Sequence, residues 1–228
     1  MTQNTLLEIL IGDNLALTKI NLSNNAKLSQ YSFTGNPELI TIRVHNNFTM
    51  DSCLFTSVGN NPSLSIFNTA GKIFYYVGQC STTLGSAGVV FEITNGGQNG
   101  KMVSTVESDQ QWFTQWYTSF MDVNNADDGM TNMNLVKVLN PDLSDFPAFK
   151  WCTEYGTNWY LPAQNELLTI YGIRLVLNTV LSANGHTTLS GDYRSSTYRS
   201  HGIFSFGRGE WFSNPASYSY HVRAVLAF

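Results

Sequence analysis

The residues best suited to contact a ligand lie in the last thirty-six positions, residues 193–228. This segment contains four arginines, four tyrosines, two histidines, seven serines and a tryptophan, but no lysine and only one carboxylate, Glu210. Tyrosine and tryptophan provide rigid amphipathic area, arginine provides directional donors, and serine and glycine provide adaptable polarity, a mixture typical of binding surfaces. The segment is therefore predicted to display a ligand-binding face on a packed β scaffold.

Alternation of side chains along the strands separates the core side of this segment from its exposed side. Phe204 and Phe206 fall on one side and are expected in the core, whereas Trp211 rather than Phe212 is expected to be exposed. Arg223 is expected to form a structural ion pair, with Glu166 as the candidate carboxylate. The predicted ligand-binding positions are Arg194, Tyr198, Arg199, His201, Ile203, Ser205, Arg208, Trp211, Ser213, Asn214, Ser217, Tyr218, Ser219 and Tyr220.

Catalytic chemistry is not predicted, and no catalytic residue, metal ligand or cofactor is assigned. Covalent catalysis needs a reactive cysteine or another nucleophile with its base, whereas Cys152 stands alone at a predicted helix end. The histidines His186, His201 and His221 have no carboxylate close by in the sequence. A lone histidine is more often a surface or packing residue than a catalytic one, so the chain is predicted not to be an enzyme.

Two features leave metal binding and disulfide bonding open. The acidic stretch 122–132 offers oxygen ligands for Ca²⁺, but its spacing does not match an EF-hand, so a polar loop is the favoured interpretation. Cys53, Cys80 and Cys152 lack the spacing of a metal site. One disulfide is arithmetically possible, although three buried small hydrophobic residues are the favoured interpretation.

The amino-acid composition limits the classes of protein to which the chain can belong. The 228 residues suffice for one or two domains, and 43% are apolar but only 12% are charged. Polarity comes from asparagine, serine, threonine and glutamine, which favours a β-rich extracellular or virion surface. The net charge of -4 without a basic stripe predicts no nucleic-acid partner. No apolar run reaches the roughly 18–20 residues of a membrane span, and the N-terminus lacks the features of a signal peptide.

Residues 6–47 repeat with a period of eleven residues. Each repeat starts with a leucine, has apolar residues three and five positions later, and has an asparagine eight positions after the leucine. Four such repeats start at Leu6, Leu17, Leu28 and Leu39. Apolar residues two apart favour a short strand with one buried face, and asparagine can cap the backbone where the chain turns. The pattern resembles a leucine-rich repeat, with two half-turns making one coil. The resemblance implies a short solenoid whose ends need covering, by the following domain or by a second subunit in a homo-oligomer.

After residue 71 the composition shifts, and mixed secondary structure is predicted. Strands are expected over 72–77, 89–93 and 102–106, the last two joined by a turn at 95–97. Helices are expected over 145–155, with Asp145 as N-cap, and over 163–184. Gly156 and Gly185 end these two helices.

Several short motifs follow one another in a specific order in this second part. They are W-Y-L-P-x-x-x-E-L from Trp159, Y-x-S-S-T from Tyr193, F-x-F-x-x-G from Phe204 and V-R-A-V-x-x-F from Val222. This order resembles the C-type-lectin-like domain of many gut bacterial surface proteins. The resemblance implies an α+β chain: a solenoid over 1–70, then over 71–228 a twisted antiparallel sheet with two helices, ending in a variable segment 193–228.

The resemblance also implies a function. The family usually has Y-W-S-S-T-E where this chain has Arg194 and Tyr198 at the tryptophan and acidic positions. Variable proteins of diversity-generating retroelements share the fold and carry their variable segment at the C-terminus. The implied function is non-catalytic recognition of a surface protein or glycan, on a bacterial cell surface or phage virion. The alternatives are a non-diversified adhesin or fimbrial-tip protein, a formylglycine-generating-type enzyme, a calcium lectin, or a purely structural domain.

Overall fold

The computed structural model of the chain describes residues 6, 8–28, 30–33, 35–46, 48, 64–81, 87–114, 123–198 and 202–228. Strands and helices are both present in these residues, so the predicted α+β class is confirmed. The strands are β1 (Ile9–Ile11), β2 (Lys19–Asn21), β3 (Gln30–Ser32), β4 (Thr41–Val44), β5 (Ser65–Asn68), β6 (Ile73–Phe74), β7 (Cys80–Ser81), β8 (Gly88–Thr94), β9 (Asn99–Ser104), β10 (Ser108–Gln111), β11 (Asp192–Arg194), β12 (Ile203–Ser205), β13 (Glu210–Phe212), β14 (Ser219–Val222) and β15 (Val225–Ala227). The α-helices are α1 (Gly129–Leu139), α2 (Pro147–Tyr155), α3 (Gln164–Gly172) and α4 (Arg174–Ala183).

The chain divides into two compact units. The first consists of Met1–Ser81, Val89–Lys101 and Phe228, and the second consists of Thr82–Gly88 and Met102–Ala227. Residues 72–81 and 89–101, which the sequence prediction assigns to the second domain, thus belong to the first unit. The interpretation of the chain as two domains that meet near residue 71 stays a prediction.

In the first unit, strands from alternate repeats lie side by side. β1 pairs in parallel with β3, β2 with β4, and β4 with β5. In the register of these strands, Lys19 of β2 lies opposite Thr41 of β4, and Thr41 lies opposite Ser65 of β5. β6 adds to β5 in the antiparallel sense, while β7, β8 and the start of β9 follow one another in a separate sheet. The eleven-residue period therefore brings every second strand into the same sheet.

A buried asparagine closes the turn between the repeats. The Asn36 side chain donates to the carbonyl oxygens of Gly12 and Phe33, at 2.7 and 2.8 Å. Its amide oxygen accepts from the N–H groups of Leu15 and Leu17, at 3.1 and 2.9 Å. Because a buried amide must have its polar atoms satisfied, these bonds explain why the repeat ends in asparagine, as the pattern predicts.

The first repeat differs from the predicted pattern of burial. Its pattern residues Ile9 and Ile11 are 55% and 69% exposed, whereas Leu10 between them is buried. In the fourth repeat the pattern residues Ile42 and Val44 are buried as expected. Side chains alternate along a strand, so a shift of one residue exchanges the two faces. The expectation that the pattern residues form the buried face is therefore wrong for β1 and right for β4.

The second unit contains a five-stranded sheet in the order β10-β14-β11-β12-β13. All neighbours are antiparallel except β11 and β14. Beside it, Ala224 before β15 accepts the N–H of Ser104 at 2.8 Å. Val225 and Tyr160 exchange two backbone hydrogen bonds, at 2.8 and 2.9 Å. The last residues of this unit are thereby fixed to the W-Y-L-P segment.

The helices correct two predictions. The single helix expected over 163–184 is divided into α3 and α4, which meet at Ile173 with a bend of 73°. Gly172 precedes the break and has a low helix propensity. The polar loop expected over 122–132 is present over 123–128, and helix α1 begins at Gly129, because Asp128 accepts the N–H groups of Met130 and Thr131 as its N-cap. Helix α2 lies where it was predicted, although Phe146 rather than Asp145 is its N-cap residue.

Membrane-spanning length was tested on the helices of the described residues. No single helix there is long and apolar enough to cross a membrane. The bent pair α3–α4 meets the criterion only by length and composition.

The buried carboxylate of Glu166 fixes the start of two helices. It accepts the Gly129 N–H at 3.1 Å, at the beginning of α1, and the Ala163 N–H at 2.8 Å, immediately before α3. It also accepts the Tyr160 hydroxyl at 2.8 Å. Negative charge is favourable at a helix N-terminus because the backbone N–H groups there are unsatisfied. The glutamate of the W-Y-L-P-x-x-x-E-L motif is therefore a structural residue.

Glu166→Gln is expected to lower the free energy of unfolding by about 2–3 kcal/mol, because a buried donor loses its charged acceptor and the new amide N–H₂ faces other donors. Urea unfolding followed by tryptophan fluorescence measures this loss. The control is Glu154→Gln, because Glu154 is an exposed residue of α2. Equal effects of the two substitutions would contradict the role given to Glu166.

Candidate functional site

One face of the five-stranded sheet points into the core. Tyr193, Phe204 and Trp211 lie opposite one another in register across β11, β12 and β13. The Phe204 ring packs edge-on against Tyr171 of α3, with centroids 4.9 Å apart. The prediction that Phe204 belongs to the core is confirmed, and Trp211 shares its side of the sheet.

The other face carries a different set of side chains. Arg194, Ile203 and Phe212 are again in register across β11, β12 and β13. Tyr220 of β14 adjoins them, because its ring lies over the Arg194 guanidinium. This face is covered only in part: Ile203 is buried, while Phe212 and Tyr220 are each partly exposed.

Four side chains on this second face form a continuous row, in which two cations flank two aromatic rings. Arg194 Cζ lies 4.8 Å from the centroid of the Tyr220 ring. The Tyr220 and Phe212 rings meet edge to face at 5.9 Å. Arg208 Cζ lies 4.8 Å from the Phe212 centroid. Arg194, Tyr220, Phe212 and Arg208 are called the arginine–aromatic row below, and cation–π attraction contributes to its stability.

Polar groups border the row on its exposed side. The Asn214 side chain donates to the Tyr220 hydroxyl. Arg208 Nε lies 3.4 Å from a Glu210 oxygen, but both side chains are more than half exposed, so this pair contributes little to stability. Tyr218 is 51% exposed. The border therefore offers donors, acceptors and an aromatic surface to a molecule outside the chain.

Arg194 is the most unusual member of the row. It is only 3% exposed, and its Nη2 donates to the Tyr218 carbonyl oxygen at 2.7 Å. Its Nε is buried with no hydrogen-bond partner. Desolvation lowers the pKa of the Arg194 guanidinium to about 10, an effect that the Tyr220 hydroxyl opposes. The group is still protonated at pH 7, so the face holds a buried positive charge.

Arg223 shows how the same sheet accommodates a buried arginine that is fully paired. It is 1% exposed, and its Nε and Nη2 each lie 2.9 Å from Glu107 Oε2. Nη1 donates to the Ser104 carbonyl at 2.9 Å and Nη2 donates to the Thr187 carbonyl at 2.6 Å. The expected structural ion pair is present, but its carboxylate is Glu107 and not Glu166.

The structure brings together only part of the predicted ligand-binding set. Arg194, Arg208, Asn214, Tyr218 and Tyr220 lie in or beside the row. Ser213 and Ser219 are exposed, and Ser217 is partly exposed with its carbonyl accepting from Gln111 at 2.7 Å. Arg199 and His201 lie outside the described residues.

Four predicted positions do not join the row. Ile203 and Ser205 are buried, at 0% and 3% exposure, because other parts of the fold cover β12 on both faces, so they are unavailable as contacts. Trp211 lies on the side of the sheet that carries Phe204, with ring centroids 4.8 Å apart. Trp211 and Phe212 are both partly exposed, so the expectation that Trp211 is the exposed aromatic residue of the pair stays a prediction. Tyr198 is partly exposed and packs on Trp112 instead, with ring centroids 5.1 Å apart.

Sequence reasoning missed Phe212 as a member of the site. The turn between β12 and β13 brings Glu210 opposite Ser205, which fixes Phe212 opposite Ile203. Gly209 in this turn has a φ of +72°, a conformation that favours glycine. The glycines on either side of Arg208 indicate a tight hairpin turn. Counting residues along the strand that follows this turn would have assigned Phe212 to the outer face.

Reactive side chains of the described residues include two thiols and a histidine that pairs with a carboxylate. Cys152 is buried, and desolvation raises the pKa of its thiol well above the usual value, so it is protonated at neutral pH. Cys80 and Cys152 are free thiols, and Cys53 lies outside the described residues. His221 Nδ1 lies 2.5 Å from Asp109 Oδ1, a carboxylate far away in the sequence that sequence reasoning missed. Within the described ranges, no group of three or more His, Cys, Asp or Glu residues could hold a metal ion.

The chain was compared with known proteins. No family model matches it, and no curated protein matches it. Among solved structures, 57% of the chain is similar to 36% of a fimbrial protein from Bacteroides ovatus, with 18% sequence identity and a TM-score of 0.45. The similar region thus spans little more than a third of that protein. A likeness of this extent assigns neither a family nor a function, and the resemblance to C-type-lectin-like domains stays a prediction.

The two buried arginines are expected to differ in how much stability is lost when their charge is removed. Arg223→Met is expected to lower the free energy of unfolding by about 3 kcal/mol, because it leaves the largely buried Glu107 without its cation. Arg194→Met is expected to change it by less than about 1 kcal/mol, because replacing a buried charge that lacks a counter-ion by an apolar chain also removes a desolvation penalty. Chemical unfolding of both variants measures the difference. A loss at Arg194 as large as that at Arg223 would mean that Arg194 has a structural role.

Proposed function

We propose that this chain is a non-catalytic recognition protein of the adhesin type, which binds a surface ligand through the arginine–aromatic row. The row supports the proposal because it combines rigid aromatic rings with arginine donors at the outer face of a fixed sheet. Such residues dominate the binding energy of many interfaces, since they bury a large area with little loss of conformational entropy. The single observation that carries the proposal is that three of the four row residues are at least partly exposed, whereas Tyr193 and Phe204 on the opposite face of the same strands are buried.

The fold attributed to the chain is also part of this proposal. A leucine-rich-repeat-like solenoid over residues 1–70 is supported by the parallel pairing of strands from alternate repeats. A C-type-lectin-like domain over 71–228 is supported by the order of its motifs and by the sheet with its helices. In such an arrangement the solenoid serves as a spacer or attachment unit and the second domain recognises the ligand. Placement on a bacterial cell surface or a virion follows from the resemblance alone.

Diversification by a retroelement is a hypothesis that rests on the resemblance and on the residue types. The burial of Ile203 and Ser205 argues against free variation at β12. A variable contact set would therefore be limited to exposed or partly exposed positions in the rest of the segment. The adhesin interpretation needs no such variation, and for this reason it is the function proposed here.

Binding by the row predicts which substitutions abolish recognition. The triple variant Arg208→Ala/Asn214→Ala/Tyr218→Ala is expected to lose at least about tenfold in affinity for each ligand that the wild type binds, because it truncates exposed contacts. Arrays of glycans and of bacterial and host surface proteins, followed by surface plasmon resonance on the positives, provide the measurement.

A matched control changes exposed residues away from the row. Val138→Ala on α1 and Leu175→Ala on α4 remove exposed apolar side chains and are expected to bind like the wild type. Unchanged affinity of the triple variant would contradict the proposal, as would a wild type that binds nothing on any array.

A further inference from the structure

We propose that the arginine–aromatic row selects a carboxylate-bearing peptide segment, and that Arg194 provides the charge that recognises the carboxylate. This inference rests on the proposed function and names the chemical class of its ligand. Four observations support the inference. Arg194 is buried, its hydrogen bonds are incomplete, it lies beside Tyr218 and Tyr220, and the residue types near it are those of binding surfaces.

The first observation is a buried cation without an anion. In the part of the chain that the structure describes, Arg208 faces Glu210 and Arg223 faces Glu107. Arg194 is almost as buried as Arg223, yet the acceptor it reaches is a neutral carbonyl. Burying a charge without a counter-ion is costly, and folds that retain one at a surface site commonly use it in binding. The anion is therefore expected to come from outside the chain.

The second observation is the donor capacity that Arg194 keeps in reserve. Its Nε is buried without a hydrogen-bond partner. A guanidinium matches a carboxylate because it can donate two parallel N–H···O bonds. Arg194 therefore retains the planar donor edge that such an anion requires.

The third observation identifies the acceptor that a ligand would replace. Nη2 is bonded to the carbonyl of Tyr218, whose residue is half exposed. A charge-assisted bond to a carboxylate is roughly twice as strong as one to a neutral acceptor. We infer that the ligand's carboxylate takes the place of the Tyr218 carbonyl on Nη2, while water satisfies the released carbonyl. The Tyr220 ring lies against the Arg194 guanidinium, with Cζ 4.8 Å from the ring centroid, and helps to hold it in position.

The fourth observation favours a peptide over an acidic sugar. The carboxylate site is bordered by Tyr218 and Tyr220, and Phe212 and Asn214 contact Tyr220 in turn. Tyrosine and asparagine are enriched in protein-binding paratopes. Arg208 at the far end of the row adds a second cation beside the rings. The chain as a whole has a net charge of -4, so an acidic segment is attracted by this local pair of arginines and not by the protein in general.

The test uses the full chain labelled with ¹⁵N-arginine, in which each Nε–Hε group gives one NMR signal. The Arg194 signal is assigned by its loss in Arg194→Lys. Acetyl-Gly-Glu-Gly-amide, its glutamine counterpart, N-acetylneuraminic acid and sodium sulfate are titrated separately. The glutamate peptide is expected to shift the Arg194 signal saturably, at a concentration at least tenfold lower than any of the other three probes. The Arg223 signal is the internal control and is expected to stay in place.

The other outcomes overturn the inference. No shift with the glutamate peptide, or an equal shift with sulfate, means that Arg194 does not recognise a carboxylate. A stronger response to N-acetylneuraminic acid assigns the site to an acidic glycan. An equal response to the glutamine peptide means that the peptide is bound without regard to its charge.

A second measurement separates this inference from the proposed function. Arg194→Met and Arg194→Lys are compared with the triple variant on the ligands that the arrays identify. Both Arg194 variants are expected to lose at least tenfold in affinity, because lysine keeps the charge but not the planar donor edge. If they bind like the wild type while the triple variant does not, the recognition function stands and the role of Arg194 is wrong. If all three bind like the wild type, the recognition function itself is wrong.

Discussion

The ion pair between Arg223 and Glu107 is the interaction on which the second unit depends. One guanidinium holds three separated parts of the chain, because it donates to Glu107, to the carbonyl of Ser104 and to that of Thr187. The same carboxylate accepts the hydroxyl of Tyr193 at 2.7 Å, which raises the pKa of that hydroxyl together with its burial. The end of β14, the start of β11 and the approach to β10 are thereby fixed around a single charge pair. Both faces of the sheet depend on this arrangement.

The two buried arginines of the sheet illustrate how one residue type serves stability in one place and binding in another. Arg223 has its full complement of acceptors, including a carboxylate, so its burial is compensated inside the chain. Arg194 donates to the Tyr218 carbonyl oxygen and lies against the Tyr220 ring, and its Nε has no hydrogen-bond partner. The difference is electrostatic and not a matter of burial, since each is less than 5% exposed. Other buried polar groups, such as the Asn36 amide and the Glu166 carboxylate, have their partners inside the chain.

The alternation of side chains along three short strands decides what the C-terminal segment presents. Tyr193, Phe204 and Trp211 point to the core, and this frees Phe212 for the outer face. A register shifted by one residue would bury the row and expose the core. The hairpin turn at Gly209 fixes the register of β13 against β12 and thereby assigns Phe212 to the outer face. Strand β1 shows the same effect of side-chain alternation, because Leu10 faces the core and its neighbours Ile9 and Ile11 are exposed.

The sequence alone determined the α+β class, the eleven-residue period, the position of α2 and the C-terminal segment as the site of unusual residue types. These are local properties, because periodicity and composition can be read from neighbouring residues. It could not determine the partner of Arg223, since Glu107 lies 116 positions away, nor the break between α3 and α4. It also misjudged Ile203 and Ser205, which are buried. Burial and strand register are decided when distant segments pack together, and only the tertiary structure shows which charges are then left without a counter-ion.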